Sequence, residues 1–272
     1  MNSSIDAHQL LEELSTQPIA SANFPSHFSV AIQIRNAINN DNISMRNISE
    51  IVRKDPLVAT KVVRTANSAL FTGNVTLTDI ERSINRIGLD AVKRISLGVT
   101  MLQLARCKEM LGFGPYSRKI WLHSMYTACA ASTLTEAETR YNANEAFYLG
   151  LVFNIGAFYL LYQAAIHPVL RDNMDDVLHA VERHYFQRTL DILKFLHVPS
   201  DVIEVVTAHQ GMRIEDQTKL SRPEILFIAN AIASMQYPWQ EEQPPPIEVE
   251  PFLAHSDTIE AFFKQVRTEF KS

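Results

Sequence analysis

The feature that most limits the fold of this chain is a repeated pattern of helix starts, apolar stripes and helix ends. Asp55 followed by Pro56 is typical of a helix start, because aspartate caps free backbone N–H groups and proline lacks one. Gly88 is typical of a helix end, and Val92 and Val99 after it lie on one apolar stripe. Asn-Gly and Asp-Gly hairpin turns are absent from the sequence. The pattern predicts an all-α fold.

The composition fits a globular protein of one or two domains. The chain has 272 residues, of which 46% are hydrophobic and 20% charged. The net charge of −5 disfavours nucleic acid as a partner, because a general nucleic-acid binder normally carries a basic face. Cys107 and Cys129 are too few for a disulfide framework or a thiolate cluster. The N-terminal residues lack the pattern of a secretory signal, so we expect a cytoplasmic protein.

Two breaks in the helical pattern suggest a division of the chain into three segments. The loop-forming residues 112–115 (GFGP) predict a joint between an N-terminal helical half, 1–113, and a C-terminal helical half, 114–240. Five prolines fall between Tyr237 and Pro251, which predicts a stiff linker. Beyond them an amphipathic helix is predicted from Ser256, so 241–272 forms a linker and terminal helix.

The most apolar stretch is LGLVFNIGAFYLL, residues 149–161, which contains a single amide, Asn154. A membrane-spanning helix needs roughly 20 predominantly apolar residues, and this run is shorter and interrupted by Gly150, Asn154 and Gly156. We therefore expect no membrane partner and predict one buried helix over about 145–165.

Six segments of the chain together form a recognisable pattern: DPLVATKVVRTANSALF, LTDIERSINRIGLDAVKRISLG, WLHSMYTACAASTL, EAFYLGLVFNIG, VPSDVIEVVTAHQ and ANAIA. In this order they resemble the HDOD domain, an HD-related output domain of bacterial signalling proteins, and the resemblance covers about residues 18–237. The resemblance implies a multi-helix bundle related to the HD phosphohydrolases. In those enzymes a histidine, a His-Asp pair and a later aspartate hold divalent metals that activate water against phosphoesters.

The resemblance assigns the positions of that metal site to specific residues of this chain. His123 matches the first histidine, Phe153 and Asn154 stand where the His-Asp pair belongs, and Asn230 stands at the late aspartate. Phenylalanine donates no lone pair, and asparagine is neutral, so the charge that would balance a metal is missing. We expect a degenerate site with no catalytic residue, no metal and no other cofactor. We also expect Asn154 to bond His123 or backbone, with Asn230 in the same network and His209 close by.

A small basic patch is a second candidate site. Arg82 and Arg86 lie one helical turn apart, and Lys93 and Arg94 follow across the turn at Gly88. The patch is either a solvated face paired with neighbouring acids, or a docking site for an acidic partner surface or a phosphorylated ligand such as a nucleotide.

These observations favour a non-catalytic signal-transduction module that acts through contacts with other signalling proteins. One alternative is a metal-dependent phosphohydrolase with a rearranged site around His123 and His209. Another is a nucleotide-sensing module that binds without turnover. The sequence leaves the oligomeric state and the identity of the partner open.

Overall fold

The structure is a computed structural model that describes residues 7–19, 26–38, 44–68, 75–210, 212–214, 219–233 and 247–269. Over these ranges the secondary structure is helical and contains no strand, as predicted. The α-helices are α1 (Ala7–Thr16), α2 (Ser29–Ile38), α3 (Met45–Val52), α4 (Pro56–Ala66), α5 (Ile80–Ile87), α6 (Leu89–Arg106), α7 (Gly114–Glu138), α8 (Ala143–Val152), α9 (Ile155–Ile166), α10 (Pro168–Arg171), α11 (Met174–Phe195), α12 (Ser200–Ala208), α13 (Arg222–Ile232) and α14 (Ser256–Glu269). Short 3-10 helices cover Ser26–Phe28, Lys108–Phe113 and Ile247–His255.

The helix ends follow local chemistry. Asp55 accepts hydrogen bonds from the backbone N–H groups of Leu57 and Val58 and so caps α4, as predicted. Gly88 ends α5 with a φ of 81°, a left-handed value that favours glycine. Asp79 caps α5, because its carboxylate accepts from the N–H of Arg82.

The chain forms two compact units, and the smaller comprises residues 22–104. Its core is built from aliphatic side chains of five helices, α2 to α6. Asn67 joins the end of α4 to the segment before α5, because its side chain accepts from the N–H of Leu77 and donates to the Leu77 and Val63 carbonyls. A residue shared with the HDOD pattern therefore has a structural role here.

The larger unit comprises residues 1–21 and 105–272. The long helix α7 packs against α8, α13 and α14, while α9 packs against α11. The helix α1 joins this unit through Arg188 of α11, whose buried guanidinium donates to the carbonyl groups of Leu14, Ser15 and Gln17. A cation at the C-terminal end of α1 also complements the helix dipole.

This division differs from the predicted boundaries at 113 and 240. The smaller unit ends at residue 104, near the end of α6, and α1 belongs with the C-terminal half because Arg188 holds its last carbonyls. The terminal helix α14 is part of the larger unit as well, because Phe263 and Ile259 are buried there. Such contacts join residues far apart in sequence, so loop signals alone do not reveal them.

Among the described residues, one stretch, Ala143–Ile166, is long and apolar enough to cross a membrane by length and composition. However, 89% of its apolar window is buried inside the protein. Helices α8 and α9 bury these side chains against α7 and α11, so internal packing accounts for the apolar sequence.

Candidate functional site

The residues predicted to form the degenerate metal site come together in the larger unit. His123 lies on α7, Phe153 and Asn154 lie between α8 and α9, Asn230 lies on α13, and His209 follows α12. A hydrogen bond joins His123 to Asn230, and ring contacts join Phe153 to both histidines. The resemblance therefore identified neighbours in space from five positions spread along more than a hundred residues.

The predicted single helix over 145–165 is interrupted at the site. Phe153 ends α8, and Asn154 precedes α9. The hydroxyl of Thr189 on α11 bridges this break, since it donates to the carbonyl of Phe153 at 3.1 Å and accepts from the N–H of Gly156 at 3.0 Å. Backbone groups that a continuous helix would pair internally are thereby satisfied by a side chain. Thr189 lies more than thirty residues away in sequence, and no local signal pointed to it.

Two glycines bring the neighbouring helices close enough to bury this break. A Cβ at Gly150 would lie 2.6 Å from Cα of Ala128 on α7, and one at Gly156 would lie 2.1 Å from the carbonyl oxygen of Tyr185 on α11. Only a residue without a side chain fits at such distances. The glycines therefore fix the depth at which Phe153 and Asn154 are held.

His123 is buried and hydrogen-bonded through the nitrogen that faces α13. Its Nε2 lies 2.8 Å from Oδ1 of Asn230, and 3% of the residue is exposed. Because an amide oxygen only accepts, Nε2 carries the proton in this bond. A protonated nitrogen has no lone pair to offer a metal.

Asn154 is also fully buried, and its amide bridges two helices. Its Nδ2 donates to Oγ of Ser124 on α7 at 3.1 Å. The sequence predicted a bond from Asn154 to His123 or to the backbone, and the bond to Ser124 connects the amide to the residue next to His123 in the chain. Pairing matters here, because a buried amide without a partner costs about 1–3 kcal/mol.

Phe153 packs between the two histidines of the site. Its ring centroid lies 6.2 Å from that of His123 and 5.8 Å from that of His209, which it meets edge-on. Phe153 is 1% exposed. The position that the HD enzymes fill with a ligating histidine thus holds an apolar ring in contact with both imidazoles.

His209 is held by the end of its own helix. Its Nδ1 donates to the carbonyl of Val206 at 2.5 Å, and the ring also lies against Phe186. Burial lowers the pKa of His209 below its ordinary value, because a charged imidazolium is poorly solvated there. The neutral form is favoured, and an apolar surrounding is the main cause.

These residues do not fit the divalent metal that the HD fold implies. Together they offer two imidazoles that each already donate one ring N–H to an oxygen, a phenyl ring and two neutral amides, whereas a hydrolytic centre requires several imidazole lone pairs together with carboxylates. Within the described part of the chain, no group of three or more His, Cys, Asp and Glu side chains could hold a metal ion.

The basic patch lies in the smaller unit, and its four residues differ in their contacts. Arg86 donates to the carbonyl groups of Ala66 and Val75 at 3.2 and 3.0 Å, so its guanidinium stabilises the fold. Lys93 forms an ion pair with Asp90 at 3.3 Å. Arg82 is exposed and Arg94 is half-buried. Arg86 and Lys93 thus have partners within the unit, and Arg82 is the most exposed of the four residues.

Sequence and structure comparisons agree on the class of fold. The chain matches the HDOD domain over residues 24–210, and it belongs to the HDOD family. A proposed metal-dependent phosphohydrolase from Shewanella amazonensis SB2B is similar in structure, with a TM-score of 0.64, 23% identity, and coverage of 93% of this chain and 90% of that one. An HDOD domain protein of unknown function from Geobacter sulfurreducens has a TM-score of 0.54 and 13% identity, with 97% and 98% coverage. The comparison with curated proteins found no match.

Proposed function

We propose that this chain is a non-catalytic regulatory module of bacterial signal transduction that works in the cytoplasm through contacts with signalling proteins. The observation that carries the proposal is the position of Phe153, whose ring packs between His123 and His209. The proposal includes no metal or other cofactor, no membrane and no nucleic acid.

The hydrogen bonds around Phe153 support a structural role for the former ligand positions. Asn230 accepts from His123, and Asn154 donates to Ser124, so the polar atoms at these positions connect α7 to α13 and to the α8–α9 break. A neutral network of this kind stabilises the bundle without the charge that a divalent ion would supply.

Metal analysis of the purified full chain, with an assay of phosphoester hydrolysis, tests the proposal. We expect substoichiometric Mn, Fe, Zn and Ni and no hydrolysis above background. The variants His123→Ala and His179→Ala provide a matched pair, because His123 is in the site and His179 is exposed on α11. Near-stoichiometric metal that is lost in His123→Ala and kept in His179→Ala would overturn the proposal in favour of a phosphohydrolase.

For the protein contacts we propose two residues of the basic patch, the exposed Arg82 and the half-buried Arg94. Arg82 and Arg94 offer guanidinium groups to an acidic partner surface, while Arg86 and Lys93 position the surrounding helices. Crosslinking in the native cell should capture the same partners with wild type and with Arg46→Glu, an exposed arginine of the same unit. The double variant Arg82→Glu and Arg94→Glu should lose them, and unchanged capture by this variant would place the contact surface elsewhere.

A further inference from the structure

A second candidate site carries positive charge and lies along α7. A groove of about 350 Å³ follows the first half of α7 within the larger unit. Apolar side chains of Trp121, Leu122 and Met125 line it. Three arginines line it as well, and they come from three helices: Arg106 from α6, Arg118 from α7 and Arg267 from α14.

The packing of α14 against α7 brings Arg267 to the groove. His255, just before α14, bonds Glu138 near the end of α7 at 2.8 Å, and the ring of Phe263 lies 5.3 Å from that of Tyr126. The two helices therefore run antiparallel. Arg267 follows Phe263 by one turn, which places it beside the part of α7 that lies before Tyr126.

The other wall of the groove is fixed where α6 ends and α7 begins. The hydroxyl of Ser117 is within 3.2 Å of the Gly114 carbonyl and 3.5 Å of the Ala105 carbonyl, so the start of α7 is held to the last turn of α6. Arg106 follows Ala105, and Arg118 follows Ser117. The bonding of Ser117 thus brings both arginines to the same groove.

The groove is strongly positive. Of the described residues that line it, three are arginines and none is acidic. No ion pair joins Arg118 or Arg267 to another residue that the structure describes. Gly114, in the first turn of α7, also lines the groove, and the positive end of this 25-residue helix adds to the potential.

We propose that this groove binds a small organic polyphosphate, such as a nucleoside polyphosphate. Guanidinium groups bind phosphate oxygens through paired N–H donors, and three of them match more than one phosphate group. The apolar surfaces of Trp121, Leu122 and Met125 provide a place for a flat organic group. The volume lies at the lower end of the range for small-molecule sites, about 300–1,000 Å³.

The site requires α14, since one of its three arginines comes from that helix. Residues 211–272 lie beyond the match to the HDOD family, so this chain adds Arg267 to a groove that the family region alone does not complete. The proposal does not depend on whether the protein is catalytically inactive.

Calorimetric titration of the full chain tests the proposal, with ATP, inorganic pyrophosphate and uncharged adenosine as probes. A second readout is the fluorescence of Trp121. The chain has two tryptophans, so this measurement uses the variant Trp239→Phe, in which Trp121 is the remaining one. We expect ATP to bind more tightly than pyrophosphate and adenosine not to bind. Higher salt should weaken ATP binding, because exposed charges are screened.

The variants Arg118→Gln and Arg267→Gln should each weaken ATP binding about tenfold, which corresponds to the loss of one hydrogen bond to a charged group. Lys119→Gln is the matched control, because it removes one exposed charge next to Arg118 outside the groove lining, and it should bind ATP like wild type. Three outcomes would overturn the proposal. They are no ATP binding, equal effects of the arginine and Lys119 variants, and tighter binding of a polyglutamate peptide than of ATP.

Discussion

The ring of Phe153 meets the ring of His209 edge-on, with 5.8 Å between their centroids. His209 is 7% exposed, and its Nδ1 already donates to the carbonyl of Val206. This contact places an ionisable group in an apolar surrounding, where its charge state is linked to the stability of the fold.

Stability should fall in acid because of His209. Its pKa in the folded protein lies below the ordinary value of 6.5, so the unfolded chain takes up the proton first as pH falls. The contribution of His209 is fully present above that ordinary value and is lost as the pH falls towards the lower folded-state pKa. The free energy of unfolding, measured with urea across this pH range, should depend less steeply on pH in His209→Asn than in the wild type. The asparagine side chain can still donate to the Val206 carbonyl. The control variant His179→Asn should show the pH dependence of the wild type. If His209→Asn shows it as well, the acid sensitivity does not come from His209.

Replacing Gly156 with alanine should destabilise the protein by about 3 kcal/mol, as expected when a packed site must shift. The added Cβ would lie 2.1 Å from the Tyr185 carbonyl oxygen and 2.5 Å from the Thr189 backbone nitrogen, and both are backbone atoms. Gly112→Ala is the control, because a Cβ there meets nothing within 4 Å. Chemical denaturation gives the stability of both variants. Similar denaturation midpoints for Gly156→Ala and Gly112→Ala would show that α9 and α11 can separate easily.

Thr189→Val should destabilise the protein by about 1–3 kcal/mol, because it removes the hydroxyl and leaves buried backbone groups unpaired. The bonds lost are those to the Phe153 carbonyl and the Gly156 N–H. Thr207→Val is a matched change, since the Thr207 hydroxyl bonds a carbonyl of its own helix at an exposed position. Measured by calorimetry, the melting temperature of Thr189→Val should be clearly lower than that of Thr207→Val. Equal melting temperatures would count against the bridging role of Thr189.

Arg188→Met should loosen α1 from the larger unit. The guanidinium is 1% exposed and donates to carbonyl groups at the end of α1, which methionine cannot do. Hydrogen exchange of residues 7–16 should become faster in this variant. Arg183→Met removes an exposed arginine of α11 that forms an ion pair with Glu12 of α1, and it should change the exchange rates of α1 much less. Equal protection of α1 in both variants would mean that apolar packing alone holds it.

The sequence by itself determined the helical class, most helix starts and the family. Asp55, Pro56 and Gly88 act locally, through capping and backbone preference, so their roles are readable from neighbours in the chain. The family pattern also pointed to Phe153 and Asn154 as the positions of the expected His-Asp pair.

Only the tertiary structure decided how those positions are connected. The break in the predicted helix is bridged by Thr189, Asn154 donates to Ser124, and Arg188 assigns α1 to the larger unit. The arginine groove likewise combines Arg106, Arg118 and Arg267 from three helices. Each of these relationships joins side chains that are distant in sequence, and helix periodicity contains no information about which helices meet or at what register. Their contacts are set by the packing of the whole bundle, because packing alone brings side chains from different helices together.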